Sequence, residues 1–287
     1  MYTTLISADD LKTLSGNFRV FDCSADLAKP EAGRQQFEEQ HIAGATFADI
    51  NTDLSTHDKA LAVNGGRHPL PSREHFAKWL SANGVSNDTQ VVVYDRQGMN
   101  YCGRLWWMLK WCGHEAVAVL DGGLQAWVAE AGAVQTGAAA KALAAHFVLG
   151  APLVELKLTA DVADNLGKPS QTIVDARAPA RYKGETEPFD PVAGHIPGAL
   201  NRPFNSNIAS DGLMKPASIL RAEFDALLSL QHARTVVHHC GSGISAIPNI
   251  LAMEVAGLGR TALYAGSWSE WCNTPGLPCA KIDIATR

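Results

Sequence analysis

The chain carries one series of sequence elements twice, and this repeat restricts its fold more than any other property of the sequence. Four elements recur in the same order: an apolar segment ending in aspartate, a His-Ile-x-Gly-Ala element, an apolar segment ending in a polar residue, and a segment ending in tryptophan. They lie at residues 19–22, 41–45, 91–95 and 120–127, and again at 172–175, 195–199, 236–240 and 264–271. His41 and its counterpart His195 are separated by 154 positions, and Trp127 and its counterpart Trp271 by 144. An order kept at nearly constant spacing predicts two copies of one domain.

Within each half, short apolar segments alternate with segments of helical pattern. Residues 72–80 and 218–228 place apolar side chains at helical spacing, whereas β-branched runs precede Asp95 and Cys240. This alternation is typical of α/β domains with a mainly parallel sheet flanked by helices. An Ala- and Gly-rich stretch without a clear amphipathic period separates the halves. We therefore predict a first domain at residues 1–132, a linker at 133–152 and a second domain at 153–287.

Composition argues against several classes of function for the 287-residue chain. Its 46% hydrophobic and 18% charged residues are typical of a globular protein, and its net charge of −5 offers no basic surface for nucleic acid. The first residues lack a basic segment followed by an apolar one, and no stretch reaches the ~18 apolar residues of a membrane span. We therefore expect a cytoplasmic chain without nucleic-acid or membrane partners. The six cysteines lack C-x-x-C spacing, which argues against a zinc ribbon, a thioredoxin motif and a disulfide scaffold.

Cys240 lies where an apolar strand ends and a Gly-Ser loop leads into a predicted helix at residues 246–256. Gly241 and Gly243 free the backbone to turn, so that successive N–H groups can point inward and favour an anion. Inward amides and a helix N-terminus lower the pKa of a thiol, which predicts a nucleophilic thiolate. A buried structural thiol is the alternative. At the matching position the first half has Asp95, which cannot act as a sulfur nucleophile, so we predict that only the second domain is catalytic.

Two other enzyme classes with similar loops do not fit the sequence. A cysteine phosphatase needs an arginine six positions after its cysteine, and this chain has Ala246 there. A Gly-x-Ser-x-Gly hydrolase elbow fails as well, because Cys240 and Ile244 stand two positions to either side of Ser242. The loop therefore favours sulfur chemistry.

The repeated domains, the two His-Ile-x-Gly-Ala elements, the linker and the cysteine loop together resemble the tandem-domain rhodanese superfamily of sulfurtransferases. The Cys-Gly-Ser-Gly loop at 240–243 is similar to the 3-mercaptopyruvate type, since the thiosulfate type usually carries Arg and Lys after the cysteine. The resemblance implies that Cys240 takes sulfur from 3-mercaptopyruvate as a persulfide, releases pyruvate, and passes the sulfur to a thiol or to cyanide. Thioredoxin and low-molecular-weight thiols are candidate acceptors, and no metal or organic cofactor is implied. The alternatives are a thiosulfate sulfurtransferase and a persulfide carrier that does not turn over a free donor.

The resemblance also implies how an anionic donor is held. Arg181 matches the arginine that the family places against the substrate anion, and Arg67 matches an arginine that precedes a histidine in some members. Phe189 stands near the place where the family often has a further arginine, which gives Arg67 more weight. The loop residues that follow the nucleophile are expected to complete the substrate site: Gly241, Gly243, Ile244 and Ser245.

A proton relay is implied by the same resemblance. Ser242 matches its serine and His68 its histidine, but Asn51 stands where the acid is expected. Asp53 is our predicted substitute, with Asp49 as the alternative, and an incomplete relay would leave the tautomer of the histidine less fixed. We predict structural roles for Arg177 and for the two histidines that precede Cys240.

Overall fold

The computed structural model describes residues 1–139, 142–229 and 231–282, which form two compact units. Unit 1 comprises residues 1–62, 70–154 and 208–214, and unit 2 comprises the described residues of 63–69, 155–207 and 215–287. Each unit thus includes a short segment from the opposite half of the sequence. Residues 140 and 141 of the predicted linker, and 230 and 283–287 of the predicted second domain, lie outside the described residues.

Unit 1 is a five-stranded parallel sheet with helices between its strands. Its elements in chain order are β1 Leu5–Ile6, α1 Ala8–Thr13, β2 Phe18–Asp22, α2 Ala32–Glu39, β3 His41–Ile42, β4 Thr46–Phe47, α3 Arg73–Ala82, β5 Gln90–Tyr94, α4 Cys102–Trp111, β6 Val117–Leu120, α5 Gly123–Ala129 and β7 Val134–Gln135. The strand order in the sheet is β1-β6-β5-β2-β4.

Unit 2 repeats this arrangement. Its helices and strands are β8 Leu156–Lys157, α6 Thr159–Asp164, β9 Thr172–Asp175, α7 Pro179–Lys183, β10 Leu200–Asn201, α8 Ala217–Leu228, β11 Val236–His239, α9 Ile247–Val255, β12 Ala262–Tyr264 and α10 Ser267–Trp271, with short 3-10 turns at Phe204–Asn207 and Ala233–Thr235. The strands run β8-β12-β11-β9-β10, all parallel, so each strand occupies the place of its counterpart in unit 1. The predicted α/β class is confirmed.

The central strands position the site because their carboxyl ends meet at one edge of the sheet. In unit 2, β11 lies between β9 and β12, with His239 paired to Asp175 in the register. All four residues of β11 are buried, as a parallel strand covered on both faces requires. Strand β11 ends one residue before Cys240, at the edge where open α/β sheets hold their ligands.

The segment predicted as a linker packs on unit 1 in its described part. Strand β7 pairs antiparallel with β3, and Phe147 is buried. Beside it the backbone N–H of Ala145 donates a hydrogen bond to the carbonyl of Ser81. The chain therefore gains hydrogen bonds and apolar burial along this stretch despite its Ala- and Gly-rich composition. Among the described residues, no helix has the length and apolar character needed to cross a membrane.

Candidate active site

Cys240 follows the end of β11 and is buried, with 2% of its surface exposed. Its backbone N–H donates a hydrogen bond of 3.1 Å to Ser267 Oγ. Its carbonyl accepts from the N–H of Trp268 at 3.0 Å, and the carbonyl of Gly241 accepts from the N–H of Ser269 at 2.9 Å. The first turn of α10 therefore fixes the backbone on both sides of the candidate nucleophile.

The matching loop of unit 1 indicates what such a loop can bind. Both carboxylate oxygens of Asp95 accept backbone hydrogen bonds, at 2.7 to 3.0 Å, from the N–H groups of Gln97, Met99, Tyr101 and Cys102. Burial raises the pKa of Asp95, and these four bonds oppose the rise because they stabilise the ionised form. At the same spacing after Cys240, the backbone positions are 242, 244, 246 and 247. Unit 1 thus holds a buried carboxyl group among backbone amides in the loop where unit 2 has a thiol.

Ser242 and His68 form a hydrogen-bonded pair beside the nucleophile. Ser242 Oγ lies 2.8 Å from His68 Nδ1, and the two residues are 4% and 8% exposed. The histidine comes from the segment 63–69, which precedes unit 2 in the sequence but belongs to it by its contacts. A buried hydroxyl bonded to an imidazole is suited to move a proton.

Glycines allow the segment 63–69 to lie directly against α10. Gly66 has a φ of +86°, and a Cβ atom there would lie 2.6 Å from Ser269 Oγ and 2.8 Å from the carbonyl of Gly266. The next residue, Arg67, donates its backbone N–H to Ser269 Oγ at 3.1 Å. A side chain at position 66 would therefore displace Arg67 and His68.

Two guanidinium groups lie over the residue that follows the nucleophile. A Cβ atom on Gly241 would lie 3.0 Å from Arg67 Nη2 and 3.3 Å from Arg181 Nη1. The structure therefore brings both predicted anion-binding arginines together next to Cys240. The ring of Phe189 lies beneath both guanidinium groups, with its centroid 5.4 Å and 5.1 Å from their central carbons.

Two carboxylates that the sequence analysis missed pair with these arginines. Arg181 donates to Glu187 Oε1 at 2.6 Å, and Arg67 forms an ion pair with Asp190. The available signal was the placement of two acidic residues on either side of Phe189, shortly after Arg181. That signal is weak, because charged residues in a loop are most often solvated.

The buried residues predicted to be structural form a network that is linked to the two arginines, because Arg177 also binds Glu187 at 3.2 Å. Arg177 binds Asp175 at 2.6 Å and the carbonyl of Gly194 at 2.7 Å, with its guanidinium over the ring of Trp268. Burial lowers the pKa of His239, although its Nε2 lies 3.6 Å from an Asp175 oxygen. These contacts tie β9 to β11 below the cysteine loop.

Burial also lowers the pKa of His238, to about 3. Its Nε2 lies 3.2 Å from the sulfur of Met253, on α9. This side chain therefore packs in the core as a neutral group rather than toward Cys240.

The predicted acid of the relay lies in unit 1. Asp53 accepts the backbone N–H of Asp49 at 2.9 Å, and burial raises the pKa of its carboxyl. Asn51 donates its own N–H to Asp49 Oδ1 at 2.8 Å. All three residues thus stabilise one local turn, and the role of Asp53 toward His68 stays a prediction.

The remaining loop residues differ in exposure. Gly243 has a φ of +78° and contacts the carbonyl of Ala265 so closely that no side chain would fit. Ile244 is 1% exposed, whereas Ser245 is partly exposed. Their roles in donor binding stay predictions. In residues 1–139, 142–229 and 231–282, no group of three or more His, Cys, Asp or Glu side chains is placed to hold a metal ion.

Comparisons with known proteins extend over nearly the whole chain. A family model described as "Rhodanese-like domain" matches residues 7–130 and 158–274. The chain is 42% identical over 266 residues to "Probable 3-mercaptopyruvate sulfurtransferase" of Pseudomonas aeruginosa, covering 92% of both chains. It is 34% identical over 284 residues to "Thiosulfate sulfurtransferase" of Cricetulus griseus, covering 94% of this chain and 92% of that protein. The solved "3-mercaptopyruvate sulfurtransferase from Leishmania major" superposes with a TM-score of 0.81 at 28% identity, covering 96% of this chain and 76% of that one.

Proposed function

The chain belongs to the rhodanese family of sulfurtransferases, and we propose that it moves sulfane sulfur from 3-mercaptopyruvate to a thiol acceptor through a persulfide on Cys240. The observation that carries this proposal is the pair of guanidinium groups, Arg67 and Arg181, over Gly241. We assign the carboxylate of a small donor to these two groups, because they lie over the residue that follows the thiol. A planar guanidinium can hold a carboxylate through two parallel hydrogen bonds.

The first half-reaction starts with attack of the Cys240 thiolate on the sulfur of the donor. A sulfur–sulfur bond forms, the carbon–sulfur bond breaks, and its electron pair passes into the enolate of pyruvate. The enolate then takes up a proton at carbon. We assign the delivery of this proton to the Ser242–His68 pair, because these groups are buried and already hydrogen-bonded. Pyruvate then leaves, and Cys240 carries the outer sulfur.

In the second half-reaction a thiol, such as thioredoxin or a low-molecular-weight thiol, attacks the outer sulfur, and the Cys240 thiolate is the leaving group. Cyanide can take the sulfur in the same way. Preorganised N–H groups of the cysteine loop would stabilise the persulfide anion between the two steps, as the matching amides stabilise Asp95. Thiosulfate is the second candidate donor, because two arginines also suit a dianion and a thiosulfate sulfurtransferase is similar over most of the chain. A persulfide carrier without turnover is the remaining alternative.

Turnover with each donor tests the proposal. Purified protein and a thiol acceptor should release pyruvate from 3-mercaptopyruvate, and intact-mass measurement should show one added sulfur on Cys240. Cys240→Ser should abolish both signals, since the alcohol is a poor sulfur nucleophile, while its thermal unfolding stays close to that of the native protein. Persulfide from thiosulfate without pyruvate from 3-mercaptopyruvate would contradict the choice of donor. Persulfide without multiple turnovers would favour the carrier.

A further inference from the structure

The acidic pair, Glu187 and Asp190, forms ion pairs with the two arginines of the proposed donor site. Both acidic side chains are 2% exposed, whereas the side chains of Arg67 and Arg181 are 30% and 18% exposed. The carboxylates are therefore buried, whereas part of each arginine side chain reaches solvent. Glu187 also accepts a bond of 3.2 Å from Arg177, so its charge is shared between two cations.

Asp190 has fewer hydrogen bonds to its carboxylate than Glu187 has. Its Oδ1 pairs with Arg67, but its buried Oδ2 has no hydrogen-bond partner and lies 3.6 Å from Arg181 Nη2. A buried carboxylate oxygen without a donor leaves negative potential directed at both guanidinium groups.

We infer that Asp190 is a specificity-determining residue, which partly neutralises the donor site and so favours a donor with one negative charge over a dianion such as thiosulfate. This inference rests on the proposed function, in which Cys240 takes sulfur from a small anion. The two arginines attract either donor. The repulsion from Asp190 is about twice as large for a dianion, because Coulomb energy scales with the charge of the ligand.

The test compares the two donors in the Asp190→Asn variant, which keeps the shape of the side chain and removes its charge. We expect kcat/KM for thiosulfate to rise about tenfold relative to kcat/KM for 3-mercaptopyruvate, through a lower KM. Glu185→Gln is the matched control, because Glu185 lies on the same loop but is exposed and pairs with Lys183 at 3.7 Å. The donor ratio of this control should stay at the native value. An unchanged ratio in Asp190→Asn would overturn the inference.

A second measurement separates this inference from the proposed function. The rates at which iodoacetate and iodoacetamide alkylate Cys240, followed by mass spectrometry of its peptide, compare an anionic with a neutral reagent of similar size. Asp190→Asn should raise the iodoacetate-to-iodoacetamide ratio about threefold or more, even in a protein that turns over neither donor. An unchanged ratio would show that Asp190 does not set the potential at Cys240. If Asp190→Asn does not fold, Asp190→Ser, which keeps a hydroxyl acceptor for Arg67, repeats both measurements.

Discussion

Asp95 and Cys240 stand in matching loops, and the carboxylate shows what the thiol gains from its position. Four backbone amides point at the two oxygens of Asp95. Hydrogen bonds to an ionised acceptor are stronger than neutral ones, so these amides oppose the rise that burial causes in the pKa of Asp95. A persulfide on Cys240 is also an anion at this place in the fold. The loop therefore serves stability in unit 1 and, in our proposal, catalysis in unit 2.

We predict that Asp95→Asn destabilises the protein by about 2 kcal/mol, because the amide nitrogen of asparagine faces backbone donors and leaves at least one of them unsatisfied. Urea unfolding at neutral pH measures this loss. Asp58→Asn is the control, since Asp58 is exposed and accepts a single turn hydrogen bond from Ala60. Equal stabilities of the two variants would contradict the role we give to the Asp95 loop.

Ser267 contacts Cys240 from a strained backbone conformation. Its φ is 54°, in the left-handed region, where the corresponding residue of unit 1 is Gly123 with a φ of 57°. A non-glycine residue in this region costs about 1–2 kcal/mol. In return, the hydroxyl of Ser267 accepts the N–H of Cys240 and donates to the carbonyl of Tyr264. The serine thus gives unit 2 a contact to the nucleophile that a glycine could not supply.

At the scale of elements, the segment 63–69 determines whether the arginine and histidine reach the cysteine loop. We predict that Gly66→Ala lowers kcat/KM at least tenfold, because the added Cβ would clash with Ser269 and displace Arg67 and His68. Pyruvate release under the conditions of the donor test measures the effect.

Gly16→Ala is the control for Gly66→Ala. Gly16 has a φ of +90° but nothing within 4 Å of an added Cβ, so its variant carries the conformational cost without the clash. Comparable activity losses in the two variants would assign the effect to backbone strain alone. A loss confined to Gly66→Ala would assign it to the displaced segment.

Local patterns predicted the elements well, because each depends on neighbours along the chain. The helix expected at residues 246–256 is α9, and the β-branched run before Cys240 is β11. The ion pair between Arg67 and Asp190 spans 123 positions and leaves no local pattern. Its carboxylate could not be assigned until the fold brought the segment 63–69 onto unit 2. The repeat contains only what the two halves share. It therefore predicted two sheets of the same kind, but it could not predict an ion pair that occurs once in the chain.

At the scale of the whole molecule, the two sheets have the same strand order but carry different chemistry at matching positions. Strand β5 is followed by Asp95, which accepts hydrogen bonds from the backbone of its own loop, and β11 is followed by the thiol of Cys240. The fold therefore does not require a nucleophile at this place, because unit 1 has the same strand order with a carboxyl group there. One copy is free to remain structural while the other keeps the reactive group.

Buried histidines in both units should make the protein sensitive to acid. Burial lowers the pKa of His114, in unit 1, and of His238 and His239, in unit 2. All three are thus neutral in the folded state at pH values where the unfolded chain, with a histidine pKa of about 6.5, is already protonated. Below that pH the unfolded state takes up protons that the folded state does not, so stability falls as the pH falls.

We predict that His238→Gln weakens this dependence. For His238, whose folded pKa is about 3, the loss of stability should approach 1.4 kcal/mol for each pH unit between about 6.5 and 4.5. The variant lacks this contribution. As the pH falls from about 6.5 to 4.5, its free energy of unfolding, measured with urea, should therefore decrease by about 1.4 kcal/mol less per pH unit than that of the native protein. The exposed His57 provides the control variant His57→Gln, for which we expect the native slope. A native slope in His238→Gln as well would mean that His238 takes up its proton in the folded state, against the burial that surrounds it between β11 and α9.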